Sequence, residues 1–256
     1  MSTRPRTYVY VDGFNLYFRA MRNITFPCKS CAQHLVANTA HAGRVIDCRN
    51  CGASNEVPRT TYKWLNIQAL SEQMFPHDDI RKVKYYTATV RSRGDPQKSI
   101  RQETFLRALR TLPKVEIYKG QFSVQKVPRE LVKPPLLTRI RRWLGQPVRM
   151  NPLVKVFDPK EKGSDVNLAV HLVNDAWYDR YDVAVVLSND NDLLEAVKIV
   201  RQERGKKVGI INPHRDPNPQ LHSQADFVRQ LRPADLIAAQ FPDQVPGTKI
   251  YKPSGW

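Results

Sequence analysis

Val183-Ala184-Val185-Val186-Leu187, followed at once by Ser188-Asn189-Asp190-Asn191-Asp192, is the stretch from which the fold can be read. Five apolar residues without alternation mark a strand covered on both faces, the usual state of a strand inside a parallel sheet. Downstream, Leu193 to Arg204 reads as a helix closed by Gly205, Lys207 to Ile211 as a second buried strand, and Asp226 to Leu231 as a short last one. Upstream, Asp165 to Trp177 sets Val166, Ala169, Val170, Val173, Ala176 and Trp177 on one helical face, which is expected to pack. Earlier still come strands at Val115–Tyr118 and Val83–Ala88, separated by a helix over Gln102–Leu112, and a helix from Tyr62 to Met74. Tyr8-Val9-Tyr10-Val11 is a β-branched and aromatic run that stops at Asp12-Gly13, a strand ending in a turn. A helical pattern starts at Leu16 and is broken at Pro27. Strands alternating with helices imply an α/β fold, a central mainly parallel sheet with helices on both faces.

Two stretches interrupt that alternation. Residues 24–59 hold all four cysteines, and residues 126–152 are dense in proline and basic side chains. In the second, Lys126, Arg129, Lys133, Arg139, Arg141, Arg142 and Arg149 oppose Glu130 alone. The expected organisation is a main domain over 1–23 and 60–241 carrying the basic insertion at about 126–152. A small module occupies 24–59, and an extended tail rich in Pro and Gly occupies 242–256.

The balance of 41 Lys+Arg against 24 Asp+Glu gives a formal net charge of +17 and a pI near 9.9. Such a surface attracts polyanions by long-range steering, which points to nucleic acid or an acidic membrane, although a basic surface can also serve solubility alone. No run approaches the roughly 18 apolar residues of a membrane span, and the first apolar run is too short for a signal peptide. The expectation is a cytoplasmic protein with reduced thiols and no membrane partner.

Ligands of open parallel sheets bind outside the carboxyl ends of the strands. Asp12 stands at the end of the first strand, Asp190 and Asp192 follow the Val183–Leu187 strand, and Asp165 opens a helix in Lys162-Gly163-Ser164-Asp165. Neighbouring strands would bring these carboxylates to one sheet edge, and an oxygen-only set of that kind suits Mg²⁺ or Mn²⁺. Each aspartate also has a plain structural reading, since Asp12 can open a turn and Asp190 or Asp192 can cap a helix. The inference therefore rests on the set. A calcium loop is excluded, because the required Gly and closing Glu are missing.

Tyr8-Val9-Tyr10-Val11-Asp12-Gly13-Phe14-Asn15-Leu16, then Lys162-Gly163-Ser164-Asp165, then Leu187-Ser188-Asn189-Asp190-Asn191-Asp192-Leu193 resemble, in order and placement, the three signature motifs of the NYN domain. That domain belongs to the PIN-like nuclease superfamily, and the chain is most similar to its LabA/DUF88-like branch. The resemblance implies a PIN-like three-layer α/β/α sandwich and a metal-dependent endoribonuclease hydrolysing RNA. It implies that Asp12, Asp165 and Asp190 hold Mg²⁺ or Mn²⁺, that Asp192 assists them, and that Asn15 orients the scissile phosphate or a water. The third motif departs from the family, which usually has Gly and Phe where this chain has Asn189 and Leu193. Asn tolerates a left-handed backbone, so the same turn is expected at Asn189. Many relatives carry a further Asp where this chain has His171, for which a packed or surface histidine is the expected role.

Cys28-Lys29-Ser30-Cys31 and Cys48-Arg49-Asn50-Cys51 repeat C-x₂-C across a gap of 16, a spacing that fits a structural Cys₄ zinc site. Two redox pairs or unrelated thiols are the alternative. The basic neighbours Lys29, Arg44, Arg49 and Arg59 allow this module to grip a nucleic-acid backbone or to dock a protein. Arg91, Arg93, Lys98, Arg101, Arg107 and Arg110 follow the second strand and would neutralise phosphates, as would Lys162. In the basic insertion, Trp143 among Arg139, Arg141 and Arg142 could stack an exposed base or anchor the insertion, whereas Trp64 and Trp177 are expected in the core. The leading expectation is an endoribonuclease acting on single-stranded or structured RNA. A non-catalytic nucleic-acid-binding adaptor and a nuclease acting on DNA are the alternatives, and homo-oligomerisation is open.

Overall fold

A computed structural model describes residues 4–59, 62–89, 95–130, 140, 143–145, 153–214, 216–254 and 256. Strand β1 (Arg6–Asp12) leads into helix α1 (Gly13–Leu16), which continues as a π turn over Tyr17–Met21. Two small hairpins follow, β2 (Asn23–Pro27) with β3 (His34–Asn38) and β4 (Val45–Asp47) with β5 (Ser54–Glu56). Then come α2 (Ile67–Met74), β6 (Asp79–Ala88), α3 (Pro96–Leu109), β7 (Val115–Glu130) and β8 (Leu153–Lys162). The last third holds α4 (Ser164–Trp177), β9 (Val183–Leu187), a 3₁₀ turn (Asn191–Leu193), α5 (Leu194–Lys198, continued by a π turn), β10 (Lys207–Asn212), α6 (Pro219–Ser223), β11 (Phe227–Gln230) and α7 (Pro233–Ala238).

The sheet order is β11-β10-β9-β1-β6-β7-β8, with the first six strands parallel and β8 antiparallel at the edge. The chain winds from β1 toward β6 in one direction and from β9 toward β11 in the other. The crevice between β1 and β9 is thus a topological switch point, where such sheets bind ligands. Alternation along β1 divides the core: Val9 and Val11 face one apolar layer, Tyr10 the other. The Tyr10 layer is roofed by α4, α5 and α6 through Leu168, Leu172, Val197, Val200 and Leu221. The Val9 layer is roofed by α2, α3 and α7 together with Ile24, Phe26, Ala37 and Val57 of the cysteine-bearing hairpins. The expected three-layer α/β/α sandwich is what the chain forms.

Helix α4 sits in a different rotation from the one expected. Leu168, Leu172, Asp175 and Ala176 are buried, while Val166, Val170 and Trp177 face solvent. Asp175 sets that rotation: its carboxylate accepts from the Tyr10 hydroxyl and from Lys84 Nζ, both at 2.6 Å, and from exposed Arg180 at 2.7 Å. Lys84 and Asp175 are both almost wholly buried, and the ring of Trp177 lies outside beneath the guanidinium of Arg204.

Strand β7 outlasts the sheet. Val115–Gly120 pair with β6, and from Gln121 onward the strand pairs with β8, Gln121 opposite Lys162 and Glu130 opposite Leu153. A two-stranded ribbon roughly 30 Å long therefore stands beyond the carboxyl edge of the sheet. Of the basic insertion, Lys126 and Arg129 lie on this ribbon, Trp143 is exposed, and Arg139, Arg141 and Arg142 lie outside the described residues. The segment after α7 turns back through a Gln244–Tyr251 bridge and buries Val245 and Ile250. Trp64 Nε1 donates to the Pro242 carbonyl at 2.8 Å.

Asp175→Asn leaves the Lys84 ammonium buried without its counter-charge. The expected loss is about 3–5 kcal/mol, read as a lowered midpoint in urea unfolding; a midpoint equal to that of the wild type would show that the pair does not set the packing of α4.

Candidate active site

Asp12 ends β1 and caps α1, its Oδ1 accepting from the Asn15 N–H at 2.9 Å. The turn is possible because residue 13 is glycine: a Cβ there would lie 2.6 Å from the Tyr86 carbonyl oxygen and 2.7 Å from the Tyr85 ring. Ser188, one residue past β9 and fully buried, donates its hydroxyl to Asp12 Oδ2 at 2.9 Å and accepts from the Asp190 N–H at 3.2 Å. One hydroxyl thus ties the ends of two strands together. Asp12 is 3% exposed, and burial drives its carboxyl up to about 6 against the donors of Asn15 and Ser188; the charge of Asp190 adds to the rise.

Asp190 caps the 3₁₀ turn, its Oδ1 accepting from the Asp192 N–H at 3.1 Å. Asp192 is exposed. Asp165 lies in the first turn of α4, set there by Gly163 at φ 97°, and α4 then runs back across β1 and β6 and beside the 3₁₀ turn. Asp12, Asp165, Asp190 and Asp192 therefore occupy one edge, with Asp12, Ser188 and Asp190 in direct contact. Among the described residues no three carboxylates bring their oxygens within 4.8 Å of one another. Asn15 Oδ1 is buried with no hydrogen-bond partner among the described residues. A buried carboxylate beside a second one, with an unmatched carbonyl oxygen close by, is a hard-oxygen donor set suited to a divalent cation.

Ser188 and Asn189 are site residues that the motif reading passed over. Asn189 does not adopt the left-handed turn expected of it, since Ala32 and Asp179 are the non-glycine residues with positive φ among those described. Instead its side chain braces the loop: Oδ1 accepts from the Asn218 N–H, Nδ2 donates to the Asp216 carbonyl, and Asn218 Nδ2 donates back to the Asn189 carbonyl. His171 points into the aromatic layer, with Nδ1 3.0 Å from the Tyr86 hydroxyl and its ring against Tyr118, as a packed histidine would. Lys162 is exposed at the foot of the ribbon; Arg91 and Arg93 lie outside the described residues.

The four cysteines form one cluster whose sulfurs all lie within 4.8 Å of one another. Cys28 to Cys51 is 3.6 Å and Cys31 to Cys48 is 3.7 Å. A tetrahedron with Zn–S near 2.3 Å requires sulfurs about 3.8 Å apart, so the cluster fits a zinc-binding module. The knuckles are built alike. Ala32 N–H donates to the Cys28 carbonyl and Gly52 N–H to the Cys48 carbonyl, with Ala32 and Gly52 both in the left-handed region. Backbone N–H groups of Cys31 and Ser30 pull the Cys28 thiol down to about 6, while Cys51 among its sulfur neighbours is pushed up to about 12. Four thiolates cannot share so small a space without a cation to balance them.

The sequence model of the family described as the NYN domain matches residues 45–231, which takes in Asp165, Asp190 and Asp192 and begins beyond Asp12. The chain is similar to 6-hydroxy-3-succinoylpyridine 3-monooxygenase HspA of Pseudomonas putida, at 26% identity over 279 residues, covering 98% of this chain and 75% of that protein. A crystal structure of a protein of unknown function from Vibrio parahaemolyticus aligns with a TM-score of 0.47 and 16% identity, covering 91% of this chain and 98% of that one. No helix among the described residues is long and apolar enough to cross a membrane.

Two outcomes follow from this geometry. Purified chain should contain one zinc per molecule by elemental analysis, and Cys48→Ser should lose it and lower the melting temperature of the whole protein, because the hairpins share the main core; unchanged melting would refute that coupling. Burial and then the charge of Lys84 hold His171 below its ordinary pKa. An unfolded histidine takes its proton near 6.5, so stability should fall as pH drops through that value and recover as pH rises. His171→Gln should flatten this slope in urea midpoints between pH 7.5 and 5.5; an identical slope in the variant would assign it elsewhere.

Proposed function

The chain belongs to the NYN domain family, whose fold is that of the PIN-like nucleases, and on that premise we propose that it is a metal-dependent endoribonuclease of the cytoplasm. The observation that carries the proposal is the junction of Asp12, Ser188 and Asp190 at the switch point of the sheet. Asp12, Asp165 and Asp190 would hold Mg²⁺ or Mn²⁺, and such an ion lowers the pKa of a bound water and stabilises a leaving oxygen. The residues supply the positioning. Ser188 fixes Asp12 by donating its hydroxyl, the capped turn at Asp190 directs that carboxylate to the same edge, and Asn15 would orient a water that donates to its unmatched carbonyl oxygen, or the scissile phosphate through its amide N–H. Water would add to phosphorus in line with the departing 3′ oxygen, leaving a 3′-hydroxyl. Lys162 at the foot of the ribbon, with Arg91, Arg93, Arg139, Arg141 and Arg142, would bind the backbone of single-stranded or structured RNA, and Asp192 would assist the ligands. The cysteine cluster would carry structural zinc.

A second reading is favoured by the coverage of the Pseudomonas protein, which spans 98% of this chain and is named as a monooxygenase of a hydroxylated pyridine. Turnover of 6-hydroxy-3-succinoylpyridine by the chain would support that reading.

The deciding experiment is cleavage of end-labelled single-stranded RNA and matched DNA with Mg²⁺, Mn²⁺ or EDTA, comparing wild type with Asp12→Asn. RNA cutting that needs the metal and falls at least about 100-fold in the variant, with RNA binding retained, is the expected result. Cutting by Asp12→Asn at the wild-type rate would overturn the mechanism, and preference for DNA would reassign the substrate.

A further inference from the structure

The helix that Asp12 caps carries an aromatic ladder. Phe14 and Phe18, four residues apart, stack with ring centroids 6.2 Å apart and planes 12° from parallel. Tyr17 meets the Phe18 ring edge-on at 5.3 Å, and the Arg22 guanidinium lies 5.7 Å from the Phe18 centroid. Despite these neighbours Phe18 is 48% exposed. The ladder begins two residues from Asp12, inside the helix which that carboxylate caps. An aromatic ring fixed by its neighbours, half open to solvent and flanked by arginine, is the arrangement on which unpaired bases stack.

A second, independent feature lies on the same side. Lys63 is 9% exposed, yet it makes no hydrogen bond or ion pair with any described residue. Its charged neighbours are Arg101 and Lys98, and Arg101 also acts on Tyr17 of the ladder; burial and this like charge hold the Lys63 ammonium below its ordinary pKa. The stem of Lys63 is buried while its ammonium reaches the surface, where two neighbouring cations leave it open to an anion. Arg101 is partly balanced by Asp95 at 2.6 Å, but Lys63 has no such partner.

We propose that Phe18, backed by Phe14, is a stacking platform for an unpaired base beside the scissile phosphate, and that Lys63 and Arg101 receive the phosphate of the adjoining nucleotide. The identity of the ligand rests on the nucleic-acid reading above. It commits that reading to single-stranded substrate, because a base inside a duplex has both faces covered and cannot reach a side chain.

The test measures binding apart from cutting. A fluorescein-labelled ten-nucleotide oligouridylate, and the same strand annealed to its complement, are titrated by anisotropy with the whole 256-residue chain carrying Asp12→Asn. Adding Phe18→Ala should weaken binding of the single strand about tenfold and leave duplex binding unchanged, and Phe18→Trp should restore the single-strand affinity. Lys63→Met should reduce the slope of log affinity against log salt for the single strand by about 0.7. Equal losses on single strand and duplex, no loss at all, failure of Phe18→Trp to restore binding, or no single-strand binding by the parent protein would each overturn the platform. Single-strand binding through Phe18, in a chain that cuts no nucleic acid with Mg²⁺ or Mn²⁺ when Asp12 is intact, would sustain the platform and reject the nuclease.

Discussion

Every residue of β9 is shielded, and β9 lies beside β1 at the centre of the sheet, so both faces of that sheet have to be roofed. One roof is conventional, made of α4, α5 and α6. The other is assembled from unrelated parts: a π turn, three helices, two short hairpins and the C-terminal segment. Hairpins as short as β2–β3 and β4–β5 are at best marginally stable alone. Burying Ile24, Phe26 and Val57 contributes about 1.5–3 kcal/mol each, and the cysteine cluster closes the loops between them. The module is thus continuous with the core, although the charged residues of its sequence suggest a separate docking knob.

Carboxylates are gathered where the two central strands end, on a chain whose formal net charge is +17. The two facts are complementary. A polyanion would be drawn to the surface by the excess of Lys and Arg, yet at the crevice it would meet buried acid, which favours its approach only when positive charge is also bound there. Burial of Asp12 sharpens that requirement, and the charge of nearby Asp190 further disfavours its ionisation.

The central strands were legible in the sequence because a continuous apolar run has few other readings, whereas their order in the sheet was not. The placement of Asp12, Asp190 and Asp192 just beyond strand ends was legible because strand ends in a parallel sheet converge on one edge. The rotation of α4 was not legible. Val166, Val170 and Trp177 satisfy helical periodicity as well as Leu168 and Leu172 do, and the choice is made by Asp175 reaching Lys84 across 91 positions of sequence. The ribbon of β7 and β8 was hidden for another reason. Gly120, Pro128 and Pro159 punctuate it, and a strand without a core face shows no alternation. Asn189 was misjudged because its backbone was considered and its side chain, which holds the loop at 216–218, was not.

The Ser188–Asp12 hydrogen bond spans 176 positions, and this separation has a consequence in time. During synthesis, at about 5–20 residues per second, Asp12 leaves the ribosome many seconds before Ser188 does. Until β9 has threaded in beside β1, Asp12 caps a short helix in an unfinished sheet. Closure of so distant a loop comes late in folding. The carboxylate centre is therefore among the last features to form, and a nascent or truncated chain holds its acidic residues apart while its basic surface is already exposed.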